Sequence, residues 1–459
     1  MAFQSNRREL LILLLALAAP FGLGVSAPQE TVAVPRPGDA ESAAPYRQNT
    51  ATDAHYHEIS DAQLSELLGD PKGRVSSLFK VPRELAPDVG FWFRIYSKYS
   101  LYQTLLYDRE RPDVIYDVID VRDLFQKGKS AAGIEVTGKL RLKKHLVSLH
   151  EAFNALARNP KARFPAGSTG ARLVGIWGRR SSKEWRRLHA NVRAQTGQRD
   201  RIMQGIAAAD PFIPAMEAIF RKYKLPTELV RIPLVESSFN TQATSRAAAV
   251  GVWQFLEESA LEYLIVDRKN KIDERVSPIK STYAAARMFQ RNFKILGDYG
   301  LAVIAYNHGP KNLVKIRHKY AGANLVQLLK IGKRSPLGYA SRNYYCEFLA
   351  LLHAERYRDE LYGMTLPENA ATPAISIVSM KRPASIFEVS ALYNISLYEL
   401  KKYNPDIFET GRKLPSGTRI VIPRKVGESL VMAPAFDAGG SRVPASAISA
   451  GFEFVEYLK

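Results

Sequence analysis

The sequence predicts a mainly α protein of several domains. Three observations predict it. At 459 residues the chain is too long for one compact core, so two or three domains are expected. From 201 to 360 apolar residues recur at helical spacing, with caps and stops between the runs. Beyond a linker at 361–374 the texture changes to strand, two short helices and a closing strand, a small βααβ module over 375–424.

The N-terminus reads as an address. Arg7 and Arg8 precede an apolar core around Leu10–Ala19, and Val25-Ser26-Ala27 forms a small-x-small cleavage site. Residues 1–27 are thus expected to be a secretory signal peptide. The apolar run is short for a membrane span, and Pro20 and Gly22 interrupt it. No cysteine follows the site, so a lipid anchor is not expected there. Residues 28–58, rich in Pro, Ala and polar residues without periodicity, read as a disordered tether. Ordered sequence is expected from Ile59.

Residues 59–200 predict a helical N-terminal extension, with "VIYDVIDV" alternating as a short strand. The basic run Arg179–Arg201 reads either as a solvated helix face or as a contact for acidic wall polymer or lipid phosphate. The formal net charge of +20 favours an acidic partner. Export turns that expectation from nucleic acid toward anionic envelope polymers and lipids, and no nucleic-acid-binding motif is present. Cys346 is the only cysteine, which excludes an intrachain disulfide and a thiolate metal cluster. No cofactor or metal is expected.

Within 201–360, Phe212, Met216, Ile219 and Phe220 form a helical stripe that ends at Leu225-Pro226. Pro226 suits the first turn of the next helix, and Pro233 forces a kink or an end just where Glu236 emerges. A carboxyl group beside Leu229, Val230, Ile232, Leu234 and Val235 is costly unless it is paired or used. Ser281 is the expected cap of a helix stopped by Gly297, and a buried helix through "LAVIAYNHGP" breaks at His308-Gly309-Pro310. In the module, Ser385/Glu388 and Ser396/Glu399 predict two capping boxes. The tail, 425–459, carries no clear pattern.

Glu236-Ser237-Ser238-Phe239-Asn240, Ser245, Gly251-Val252-Trp253-Gln254 and Ala305-Tyr306-Asn307 occur in that order. Together they resemble the lytic transglycosylase family with the soluble-lytic-transglycosylase, goose-lysozyme-like fold, in the wording of its membrane-bound D branch. The 375–424 module is similar to LysM, a peptidoglycan-binding repeat. The resemblance implies a lysozyme-like catalytic domain over 201–360 that cleaves the MurNAc–GlcNAc β-1,4 bond of peptidoglycan. It implies one carboxyl group, Glu236, acting first as acid and then as base, and 1,6-anhydromuramyl ends as product.

Such an acid must stay protonated near pH 7, which asks an apolar setting for a pKa rise of about two units. The resemblance makes Ser237, Ser245, Gly251, Gln254, Tyr306, Asn307 and Tyr344 the substrate-contacting set. Trp253 is expected in the core, and Glu257, Glu258 and Asp273 on surfaces or caps. Two departures stand out. Ala340-Ser341 replaces the family's Glu-Thr, and Arg382-Pro383-Ala384 replaces the usual Gly-Asp-Thr of LysM, whose second loop keeps Asn404-Pro405. The alternatives are a hydrolytic muramidase on the same fold and a non-catalytic peptidoglycan-binding scaffold. The location implied is the periplasm or cell envelope.

Overall fold

The structure, a computed structural model, describes residues 59–126, 130–330, 337–365, 374–409, 411–424 and 452–455. The expected signal peptide and tether lie outside these residues, as do most of the linker and tail. The chain divides into two units, one of residues up to Ile202 with Tyr320–Tyr362, the other of Met203–Lys319 with Gly363–Lys459. Helices dominate both, as the sequence predicts.

The first unit is less purely helical than its extension was expected to be. Strands β1 (Gln103–Asp108), β2 (Arg111–Asp120) and β3 (Val192–Thr196) form an antiparallel sheet in the order β2-β1-β3. Leu105 stands opposite Val118 and Gln195. The expected "VIYDVIDV" strand is the body of β2. Helices Ala131–Arg158 and Ser182–Asn191 share one core with this sheet, centred on Leu106, Phe153, Leu156 and Trp185. The Tyr339–Arg356 helix, expected in the 201–360 block, folds with this unit instead. It buries Asn343 against Trp92 (Nε1 to Oδ1, 3.3 Å) and sets Phe348 edge-on to Phe79 at 5.3 Å. That apolar face finds its partner on the Ala86–Ser97 helix, far away in sequence.

In the second unit the helices Ile213–Lys222, Pro278–Leu296 and Tyr299–His308 surround a core containing Phe220, Trp253, Phe289 and Ile304. The cap of Pro278–Leu296 is Ser277, not Ser281. Ser277 Oγ accepts from Lys280 N at 3.3 Å and Pro278 takes the first turn, where its missing N–H costs nothing; Ser281 lies inside the helix and donates to Ser277 O. Gly297 (φ 67°) ends the helix as expected.

The module consists of β6 (Ala374–Met380), helices Ile386–Tyr393 and Leu397–Tyr403, and β7 (Arg419–Arg424), with Ile377 opposite Val421. The same unit also holds a two-stranded antiparallel hairpin of β4 (Val266–Asp267) and β5 (Ile272–Asp273). Ser385/Glu388 is a reciprocal capping box, whereas Ser396 caps Glu399 N without the return bond. The tail adds a strand the sequence reading missed: β8 (Phe452–Val455) pairs with β6, giving the order β7-β6-β8.

The module is packed onto the rest of its unit. Ile272 enters the module's core beside Ile407, Leu414 and Ile420. Asp273 N donates to Asp406 O at 3.1 Å and Phe408 N to Lys271 O at 3.2 Å. Beneath this seam lie three buried charges, Lys280, Asp406 and Glu274, and the half-buried Arg419. Lys280 Nζ lies 2.6 Å from Asp406 Oδ2 and 2.6 Å from Arg419 O, and Arg419 Nε donates to Glu274 Oε1 at 2.8 Å. Two cations and two carboxylates cancel.

Candidate active site

The local chain explains where Glu236 stands. After Pro226 a 3₁₀ turn, Thr227–Arg231, passes into a short α-helix, Ile232–Ser237, with Pro233 in its first turn. Ile232, Pro233 and Leu234 are buried, and the buried Arg231 pairs with Glu217. Glu236 is half-buried in the last turn. The helix stops in two successive left-handed residues, Ser238 (φ 49°) and Phe239 (φ 58°), whose amides donate back to Leu234 O and Pro233 O at 3.1 Å each. Neither is glycine, so the turn stores strain. Phe239 is held by burial against Phe212. A Cβ on Gly205 would stand 2.6 Å from Ser238 O, so glycine there permits the close approach.

The loop that follows is cross-stitched. Ser245 N donates to Ala249 O at 2.9 Å, and Ser245 Oγ accepts from Ala249 N at 3.0 Å. Gly251 N donates to Ala243 O at 2.9 Å. Gln254, left-handed at φ 50°, spends its amide nitrogen on Gly251 O (2.8 Å) and Ala243 O (3.2 Å). Ser237 Oγ donates to Val252 O at 3.1 Å, tying the Glu236 helix to the same loop. Gly251 has φ 80°, and a Cβ there would lie 1.9 Å from Arg275 O. Close backbone approach, expected at this glycine, is toward Arg275.

Tyr306 comes from the end of the Tyr299–His308 helix. Its hydroxyl donates to Trp253 O at 2.7 Å, and its ring stacks on Phe289 at 5.1 Å. Burial first, and then the negative charge of Glu236, push its phenol well above the usual tyrosine value. Glu236 and Tyr306 are thus electrostatically coupled. Asn307 is buried beside it. Trp253 lies in the core as expected, bonded to Thr282 Oγ1 at 2.9 Å and stacked on Phe220. His308 is half-buried, and burial lowers its pKa below the ordinary value.

Of the carboxylates expected on surfaces or caps, two have structural partners and one is exposed. Asp273 forks onto Arg275 (Nε to Oδ1 2.9 Å, Nη2 to Oδ2 2.7 Å), Glu257 pairs with Arg268, and Glu258 is exposed. The arrangement brings Glu236, Ser237, Ser245, Gly251, Gln254, Tyr306 and Asn307 into one unit. Tyr344 belongs to the other unit and is buried in the Tyr339–Arg356 helix. Sequence reasoning missed Arg275. Its Nη1 approaches the carbonyls of Ala248 and Phe255 at 3.4 Å each, so it braces both ends of the loop. An arginine in a charged run, "DER", gave no sign of this.

Residues 214–325 match the family described as Transglycosylase SLT domain. The chain is 29% identical over 224 residues to "Membrane-bound lytic murein transglycosylase D" of Escherichia coli K12, covering 48% of this chain and 48% of that protein. The same figures hold for the protein of that name from Escherichia coli O6:H1. The chain spans about half the length of these curated relatives. Among the described residues no helix is long and apolar enough to cross a membrane.

Proposed function

We propose that this chain is an exported peptidoglycan lytic transglycosylase of the cell envelope, with Glu236 as its single catalytic carboxyl group and the 375–424 module as a LysM-type glycan-binding element. The observation that carries this reading is the setting of Glu236. It is half-buried at a strained helix end, its charge acts on the phenol of the half-buried Tyr306, and Asp273 and Glu257 are bound to arginines. The match over 214–325 and the relatives' names supply the substrate class.

In the proposed reaction the Glu236 carboxyl group protonates the glycosidic oxygen as the MurNAc C1–O bond breaks, through an oxocarbenium-like transition state. The Glu236 carboxylate then takes the proton of the muramyl 6-hydroxyl as that oxygen closes on C1. The proton lent is recovered and no water is consumed. Ser245 and Gln254 act from the stitched loop as polar contacts for the glycan, while Ser237 and Tyr306 hold the walls.

The test is digestion of isolated sacculi by residues 28–459 and by the Glu236→Gln variant, with products weighed by mass spectrometry. The expected result is release of 1,6-anhydromuropeptides by the parent and none by the variant, which still binds sacculi. Products heavier by one water point to a hydrolytic muramidase, and binding without release by the parent points to a scaffold.

A further inference from the structure

The first unit carries a basic surface that the proposed catalytic reaction does not use. From Arg158 to Arg187 the chain has nine Lys and Arg residues and a single acid, Glu184. The fold gathers these charges. Arg179 Nη1 donates to Pro160 O at 3.0 Å and Ala162 O at 2.8 Å, which draws the start of the Ser182–Asn191 helix against the turn that follows Ala131–Arg158. Arg158, Lys161 and Arg163 on that turn are exposed. Trp185 and Leu188 bury the inner side of the Ser182–Asn191 helix, and Lys183, Arg186 and Arg187 emerge on its outer side next to Arg180.

These cations are not neutralised from within. Among the described residues no ion pair joins a carboxylate to Arg180, Lys183, Arg186 or Arg187, or to the three on the turn; the one acid of the stretch, Glu184, feels Arg180 and Arg187 only at longer range. Glu184 is committed to its capping box, accepting from Ser181 N at 2.9 Å and Ser181 Oγ at 2.7 Å. A cluster of like charges costs self-repulsion in the folded state, and an anionic partner relieves it.

Two features select the partner. Six of the cations named are arginines, whose planar forks fit phosphate oxygens bidentately. Ile176 is 42% exposed in the last turn of the Thr169–Trp177 helix, three residues before Arg179. An exposed branched aliphatic side chain close in sequence to exposed arginines suits a bilayer surface, where headgroup phosphates meet the charges and the acyl boundary takes the apolar group. A glycan or a polyphosphate chain has no use for it.

We infer that the face built by Arg158–Arg163 and Arg180–Arg187, with Ile176 at its edge, docks the first unit on anionic phospholipid headgroups. Each cation near such a surface is worth about a five-fold change in partitioning. Neutralising four is expected to weaken binding on the order of a hundredfold or more.

The experiment is co-sedimentation of residues 28–459 with vesicles of zwitterionic lipid, with and without added phosphatidylglycerol, at two salt concentrations. The expected result is binding to the anionic vesicles alone, weakened by salt. The R180Q/K183Q/R186Q/R187Q variant is expected to lose it, with its circular dichroism melt and release of muropeptides from sacculi unchanged. A control, K381Q/R382Q/K401Q/K402Q, removes the same charge elsewhere and should retain binding. Ile176→Ser should weaken vesicle binding while leaving the salt dependence in place.

Equal loss in patch and control variants overturns the inference in favour of net charge alone. Parent binding to sacculi that the patch variant loses, with no difference on vesicles, overturns it in favour of wall polymer. Neither outcome depends on Glu236, so failure here and failure of the proposed activity are separate results.

Discussion

Lys280→Met is the substitution that most directly tests how the module is held. Lys280 and Asp406 are 1% and 0% exposed, and their 2.6 Å contact joins residues far apart in the chain. Removing the ammonium strands the Asp406 carboxylate, whose Oδ1 already lacks a hydrogen-bond partner, and leaves Arg419 O unsatisfied. Glu274 keeps Arg419 and the amide of Ile265 at 2.8 Å, so the damage centres on Asp406. Breaking one side of such a pair costs about 3–5 kcal/mol. In K280M/D406L an apolar pair replaces the ionic one, and the remaining cost is that of one orphaned carbonyl, about 1–2 kcal/mol.

The assay is hydrogen exchange by mass spectrometry at the amides of Asp273 and Phe408, which donate across the seam. Exchange in K280M should be faster by about 10²–10⁴-fold if opening of the seam limits it. In the double variant it should return most of the way. Burial holds the Asp406 carboxyl above the ordinary carboxylate range against the pull of Lys280. An acid raised in the folded state contributes stability below its unfolded pKa and loses it as pH rises through the folded value. The K280M defect should therefore be smaller at pH 5 than at pH 8. Unchanged exchange in K280M, or a double variant as poor as the sum of the singles, would refute the reasoning.

His189 is held down to about 4 by burial and, second, by the neighbouring His150, so protonation opposes the fold. Stability of the first unit should fall by about 2 kcal/mol as pH drops from 6.5 toward 4, and His189→Phe should flatten that slope in urea titrations. Gly251→Ala puts a Cβ against Arg275 O in a left-handed residue, and should cost about 3 kcal/mol or more in thermal unfolding along with sacculus digestion. Tyr306→Phe removes the bond to Trp253 O and should cost about 1 kcal/mol while lowering turnover. Ser385→Ala removes one half of the capping box and should cost about 1 kcal/mol of module stability, read by its melting transition.

Much of the second unit is legible because its signals are local. Pro226 and Pro233 mark the turn into the Glu236 helix, Gly297 and Gly309 mark helix ends, and Ser385 with Glu388 marks a start. Glu236 stood out because an apolar run ended in a carboxyl group and the pieces after it kept their order. What could not be read depends on partners distant in sequence. "QTLLYD" lacks alternation because five of its six residues are buried, so β1 showed no strand period. "VRAQT" hid at the end of a basic helix. The Tyr339–Arg356 helix has an ordinary apolar face, and only the fold reveals that Trp92 and Phe79 receive it. No period in the sequence joins Lys280 to Asp406.

The same polar atoms that read as substrate contacts are largely spent on the protein. Ser237 bonds Val252 O, Gln254 bonds Ala243 O and Gly251 O, and Tyr306 bonds Trp253 O. Their order in the sequence therefore encodes a loop before it encodes a ligand site. That loop contains Ala248 and Gln254 in left-handed conformations and follows two more at Ser238 and Phe239, so without its stitches it would relax. Arg275 extends the support outward. It grips Ala248 and Phe255 carbonyls on one side and Asp273 on the other, and the amide of Asp273 bonds Asp406 O in the module. Packing against the module and the shape of the Glu236 loop are thus joined through one short turn, Asp273–Arg275. Loosening the seam should consequently reach the loop, so K280M should digest soluble glycan fragments more slowly even where binding to intact wall plays no part.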